Sequence, residues 1–260
     1  MKVIAYSLFG SNPRYSNPLI ITVKNINEIL PGWVIWVYYD STVPRNVVDE
    51  LTKLKVNLIL MGSVECCDWA PKFWRFLPVF EKEVDVVLFR DSDSIITTRE
   101  ASLVNYWMNS DYSAQILRDH PLHMAPIMAG MFGLKKEVFK VFAHQLELNK
   151  NLVQEKSYSA DQVFLAKYVY KFIYKKAIVQ TPFFTYPGEN CLKISEAKDE
   201  NFIGAVYESA KIEANITYGF LIGIPFWIAK LLQFKTRPVL YVSYYLKKLN
   251  YYLFNSYLIR

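Results

Sequence analysis

"VDVVLFRDSDSIITT" (residues 84–98) is the stretch whose reading decides the fold. Large apolar side chains run unbroken from Val86 to Phe89 and then stop at Arg90-Asp91-Ser92-Asp93. An apolar run bracketed by charge suits a strand buried on both faces of a parallel sheet. Such a strand carries its chemistry at its carboxyl end, where the sheet opens into a crevice. Two carboxylates placed there, roughly 6–7 Å apart, repel by about 2.5 kcal/mol at an effective dielectric of about 20. Either water screens Asp91 from Asp93 or a cation sits between them. Hard oxygen ligands suit Mg²⁺ or Mn²⁺, which bind through one or two carboxylates plus substrate phosphates. The plain alternative is two solvated acids at the start of a loop.

Upstream, strand and helix patterns alternate. Residues 2–9 read as the first strand. Asn17 is then a plausible N-cap with Pro18 at the first helical position, and Leu19, Val23, Ile26 and Leu30 recur at helical spacing until Pro31-Gly32. "WVIWVYYD" is a second strand ending in Asp40, "STVPRNVVDELTKL" a second helix and "VNLILM" a third strand. Pro71 opens a helix with an aromatic stripe of Phe73, Phe76 and Phe80, which leads into the strand at 86–89 as the fourth. This order predicts an α/β domain with a mainly parallel sheet flanked by helices.

Downstream, a helix is expected over about 99–108 and a strand at "YSAQIL". The polar turn "RDHPLH" follows, then "MAGMFG", whose small residues suggest close backbone packing beside a ligand or another strand. Residues 135–148 and 160–174 read as helices, and "QTPFFTYPGEN" as a proline-punctuated loop or edge segment.

The 260 residues suffice for a large domain with an appendage. Apolar content of 52% and charged content of 21% exclude wholesale disorder. The net charge of +6 is matched by Lys230, Lys235, Arg237, Lys247, Lys248 and Arg260, which follow the last acidic residue, Glu213. The body is therefore electrically balanced, which argues against nucleic acid as a partner. The three cysteines suggest no disulfide framework. "MKVIAYSLFG" reads as a strand rather than a secretory signal, so a cytoplasmic setting with reduced thiols is expected. Residues 214–260 form a basic, aromatic-rich extension whose uncharged run, 216–229, is too short to span a bilayer. It suits either peripheral contact with a membrane surface or a pair of helices docked on the domain's own apolar face.

The run "FRDSDSIITTREASLVNYWMNSDYSAQILRDHPLHMAPIMAGMFG" resembles the central segment of a group of GT-A-type glycosyltransferases, which read approximately "RDxDSRLSxRE…W…RDHPxH…GGMWG". The likeness covers about residues 71–133. It implies a GT-A-like, Rossmann-like catalytic domain over 1–213, a nucleotide-sugar donor and glycosyl transfer to a hydroxyl of a glycan, lipid or protein. It also implies a divalent ion, Mn²⁺ or Mg²⁺, held by Asp91 and Asp93. Two departures stand out: the arginine after the acidic motif is Ile95, and "GGMWG" has become Ala129-Gly130-Met131-Phe132-Gly133.

By the same resemblance, donor contacts fall to Arg75, Arg90, Ser92, His120, His123 and Gly130. Ser7, Phe9 and Asp40, at the first two strand exits, fall where the base and ribose are received. For Arg75 the alternative is a surface arginine, for Arg90 a structural ion pair, and for the histidines a structural turn. Asp161-Gln162 is similar to the "DQ" beneath the donor sugar, where an aspartate holds sugar hydroxyls or takes the acceptor's proton. An acid at a helix start is also favourable for purely electrostatic reasons. No histidine follows His144, so Glu189, Asp199, water or the donor would complete the metal shell. Two rivals fit D-x-D less well. A haloacid-dehalogenase-type phosphatase would place the motif on its first strand, and a degenerate sugar-nucleotide-binding module would account for Ile95 and Ala129.

Overall fold

The β-branched and aromatic run Lys2–Leu8 forms β1, the centre from which the sheet is built in both directions. β1 pairs in parallel with β2 (Trp33–Tyr39) on one side and β4 (Val86–Arg90) on the other. β3 (Asn57–Leu60) extends the sheet beyond β2. Past β4 come β6 (Met131–Lys135), β5 (Ala114–Leu117), β7 (Ala177–Thr181) and β8 (Asn190–Lys193). β6 alone among these strands runs antiparallel to its neighbours. The computed structural model describes residues 1–63, 69–120, 123, 125–155, 157, 159–183, 185–197 and 202–207.

The strand period of two sorts the core into two layers. Ile4, Tyr6 and Leu8 of β1, with Val86 and Leu88 of β4, face helices α1 (Pro13–Ile29), α2 (Arg45–Lys53) and α3 (Thr98–Met108). Val3, Ala5, Val87 and Phe89 face the 3₁₀ segment Pro71–Phe80, α4 (Phe139–Leu148), the short α5 (Lys150–Val153) and α6 (Ala160–Phe164). On that second face Phe76 meets Phe89, Phe132, Phe142 and Phe164 at centroid distances of 5.2–6.3 Å, a packed aromatic core. Every residue of β4 is buried, as its sequence requires of a strand covered on both faces.

The fold departs from the sequence reading at several points. α1 starts at Pro13, not Pro18, because Asn12-Pro13 supplies the same cap-and-proline signal earlier. The Asn12 side chain accepts a hydrogen bond from Arg14 N at 3.0 Å. Residues 71–80 form 3₁₀ turns rather than an α-helix, with Pro78 inside them. Lys135 still belongs to β6, and α4 begins only at Phe139. A π-helical turn, Leu165–Val169, separates α6 from α7 (Tyr170–Ile173). "QTPFFTYPGEN" begins inside β7, a wholly buried interior strand. The extension 214–260 and Asp199 lie outside the described residues. No helix among the described residues is long and apolar enough to cross a membrane.

Candidate active site

Sheet order 3-2-1-4 reverses direction between β1 and β4, and the carboxyl ends at such a switch point border a crevice. Ser7, Asp40 and Asp91 all leave the sheet on this edge, and so do Arg118–His120 after β5 and Gly130 before β6. Strand alternation then divides the motif. Arg90 continues the face of Val86 and Leu88 and reaches Glu100 on α3, while Asp91 continues the face of Val87 and Phe89 and reaches Arg75.

Arg75 is the hub. Its backbone N–H donates to Ser7 Oγ at 3.0 Å, so β1 sets its position. Nη1 donates to Asp91 Oδ1, and Nη2 donates to Asp161 Oδ2 at 2.6 Å. The Arg75 and Asp161 side chains are 6% and 9% exposed, whereas that of Asp91 is 49% exposed and open to a ligand. Burial works against the Arg75 charge, but Asp91 and Asp161 outweigh it and hold its pKa above the ordinary value. Arg75 is thus not a surface residue.

Asp93 sits beside this hub. Burial, and then the neighbouring Asp91 charge, push its carboxyl up to about 6, while Arg14 at the start of α1 pulls it down. The segment 202–207 crosses over the motif: Tyr207 N donates to Asp93 O at 2.8 Å, and Ser94 forms an antiparallel bridge with Val206. Neither Arg14 nor this strap was anticipated from sequence. A cation in the first turn of α1, where the helix dipole disfavours it, was the available signal for Arg14.

Gly130 has a steric reason. A Cβ there would lie 2.0 Å from Asp91 Oδ2 and 2.8 Å from Asp91 N, so only glycine lets the motif approach this backbone. The Gln162 side chain is fixed on the backbone leading to Gly130: it donates to Ile127 O and accepts from Ala129 N at 3.2 Å. These two bonds tie the start of α6 to the segment before β6. Asp161 Oδ1 accepts from Gln162 N at 2.9 Å.

Phe9 is exposed and packs edge-on to Trp74 at 6.3 Å. Asp40 accepts from Thr42 N at 3.0 Å and Thr42 in turn from Gly10 N, which ties the β1 and β2 exits together. Ser92 is buried.

Arg90 is corrected as a donor contact. Its guanidinium is 1% exposed, pairs with Glu100 at 3.0 Å and donates to Gly130 O at 2.7 Å. Glu189 is corrected as a metal ligand. It holds Arg118 in a bidentate pair at 2.6 and 2.9 Å and accepts from Tyr170 Oη. Asp119 is likewise engaged, accepting from Arg99 at 2.6 and 2.8 Å and from Ile203 N at 3.0 Å. His120 and His123 pack on each other and on Phe202, with ring centroids 4.4–5.6 Å apart. Burial lowers their pKa to about 4 and about 3 respectively, so both are neutral near pH 7.

Among the described residues no group of three or more His, Cys, Asp or Glu forms a ready-made metal cage. Two carboxylates at a strand exit fit Mg²⁺ or Mn²⁺, which keep water and substrate phosphates in their shell.

No family model and no curated protein matches the sequence. Solved structures do. Residues 1–349 of S. aureus TarS share 14% identity over 65% of this chain and 55% of that one, with a TM-score of 0.44. The galactosyltransferase LgtC, in complex with donor and acceptor sugar analogues, shares 16% over 64% and 70%, with a TM-score of 0.39. The mannosyltransferase PcManGT from Pyrobaculum calidifontis, in complex with GDP-Man and Mn²⁺, shares 12% over 99% and 71%, with a TM-score of 0.48. The chain thus spans little more than half the length of the TarS fragment. The chemistry of the site rests on this chain's own residues.

Proposed function

We propose that the chain is a metal-dependent glycosyltransferase that moves a sugar from a nucleotide-sugar donor to an acceptor hydroxyl. The observation that carries this reading is the Arg75 hub, which joins the strand-end acid Asp91 to Asp161 from a distant helix. Asp91 and Asp93 would hold the divalent ion. When bound, that ion neutralises a diphosphate and helps it depart as a leaving group. Arg75 keeps Asp91 and Asp161 at fixed separation, and Gly130 admits Asp91 to its place. Asp161 contacts the donor sugar or accepts the proton of the attacking hydroxyl at a carboxylate oxygen. Ser7, Phe9 and Asp40 border the part of the crevice suited to base and ribose.

The setting proposed is cytoplasmic, with 214–260 as a basic, aromatic contact for an anionic membrane surface. Liposome flotation of the whole chain against one ending at Glu213 tests that part: equal behaviour contradicts it.

The enzymatic reading is tested by incubating the protein with a panel of sugar nucleotides and Mn²⁺ and following release of free sugar. Donor hydrolysis that requires the metal and is lost in Asp161→Asn supports it. Turnover of a generic phosphoester with no donor hydrolysis would favour a phosphatase instead.

A further inference from the structure

The amino edge of the sheet carries an open cavity of about 900 Å³ whose wall includes Tyr106, Asn109, Asp111, Tyr112, Lys175 and Lys176. β5 and β7 begin there, level with Val87 of β4, whereas Asp91 leaves β4 at the other edge. Four residue steps at ~3.4 Å each put about 14 Å between the two levels. The proposed chemistry uses none of these side chains.

The wall is anchored in the core. Trp107, fully buried, donates through Nε1 to Tyr112 O at 3.0 Å and accepts from Ser110 Oγ at 2.7 Å. Lys135 Nζ donates to Ser110 O at 2.6 Å, and Ser113 N donates to Lys176 O at 3.0 Å. The turn between α3 and β5 is therefore preformed. Tyr106, one position before Trp107, is 51% exposed beside it.

Aromatic faces, an amide, a carboxylate and two ammonium groups line a space of ligand size. That set offers donors and acceptors together beside apolar ring surface. A polyhydroxylated ligand needs the same combination, because each hydroxyl both donates and accepts while the C–H face of a sugar ring is apolar. A phosphate dianion fits poorly despite the lysines. The carboxyl end of α3, which is the negative end of the helix dipole, terminates at this cavity, and Asp111 adds a further negative charge.

We propose that this groove is a second saccharide-binding site, one that takes an oligosaccharide segment away from the reacting centre. Its role rests on the transferase reading: it would anchor a chain-like acceptor and raise the effective concentration of its end at Asp161.

The test uses the full chain with maltohexaose, chitohexaose and a galacturonate hexamer, followed by saturation-transfer NMR and calorimetry. At least one hexamer should bind. Tyr106→Ala should weaken that binding by about tenfold, the size of one aromatic contact, and Asp111→Asn should weaken it as well. Asp91→Asn should leave it unchanged. Absence of binding by all three hexamers, equal binding by Tyr106→Ala, or displacement by inorganic phosphate overturns the proposal. Because donor hydrolysis is read separately, hexamer binding without hydrolysis would sink the transferase reading and leave the groove standing.

Discussion

Arg75 and Asp161, 86 positions apart in the sequence, meet in a buried ion pair of 2.6 Å. The pair closes a path from the β1 exit, through Ser7 Oγ and the Arg75 backbone, to the start of α6. Removing the arginine strands a buried carboxylate, which typically costs about 3–5 kcal/mol. Arg75→Met should therefore lower the unfolding free energy obtained from urea denaturation by about 3–5 kcal/mol. Arg75→Lys keeps the charge but cannot present a planar fork to two acids at once. It should unfold closer to wild type and still lose donor hydrolysis.

The Arg90–Glu100 pair is a separate structural unit, with both side chains 1% exposed. Burial raises the Glu100 pKa and the Arg90 charge opposes that rise. Glu100→Gln leaves a buried guanidinium without its counter-charge and should destabilise the fold by about 3–5 kcal/mol. The double variant Arg90→Met/Glu100→Leu should recover most of that loss, because neither charge then remains to be desolvated. Equilibrium denaturation of the three variants measures both effects.

Two glycines three positions apart, Gly130 in the turn before β6 and Gly133 inside that strand, should fail differently. Gly130→Ala drives a methyl into Asp91 and displaces its carboxylate. Misplacement of a reacting group by about 1 Å costs on the order of 100-fold in rate, so metal-dependent donor hydrolysis should fall by about that factor. At Gly133 an added Cβ meets Leu88 and Trp107 at 2.8 Å, far from the crevice. Gly133→Ala should lower stability by about 1–3 kcal/mol, read as a shift in the thermal midpoint.

The histidine pair makes stability pH-dependent. Folded His120 and His123 titrate at about 4 and about 3, while in the unfolded chain histidine titrates at about 6.5. Between these values the unfolded state binds more protons, so stability falls as the pH drops from about 6.5 towards 4. Replacing both by Phe should flatten that limb of the stability curve. An unchanged slope in the double variant would contradict burial of the neutral rings.

The fold was legible where burial and period agree. The Val86–Phe89 run and the alternation of strand and helix before it are enough to place β1 to β4 and the acids at their edge. β7 was obscured because its apolar residues adjoin the basic "YKK" turn and the prolines of the following loop. The crossing strap 202–207 has no local signature, since its hydrogen bonds go to Asp93 and Asp119, far away in sequence. At the site, residue types drew attention to Arg75, Asp91 and Asp161 before their mutual contacts could be known. Whether Arg90 turns towards phosphate or towards Glu100 is settled by strand parity together with the position of α3, and only the fold supplies the second.

The most direct measurement is a calorimetric titration of sugar nucleotides into the protein with and without Mn²⁺, comparing wild type with Asp91→Asn. Wild type should bind a donor only when the metal is present, and Asp91→Asn should lose that binding while remaining folded, because Arg75 keeps its pair with Asp161. Donor binding of equal strength in Asp91→Asn, or in wild type without metal, would contradict an ion held by the acids at the end of β4.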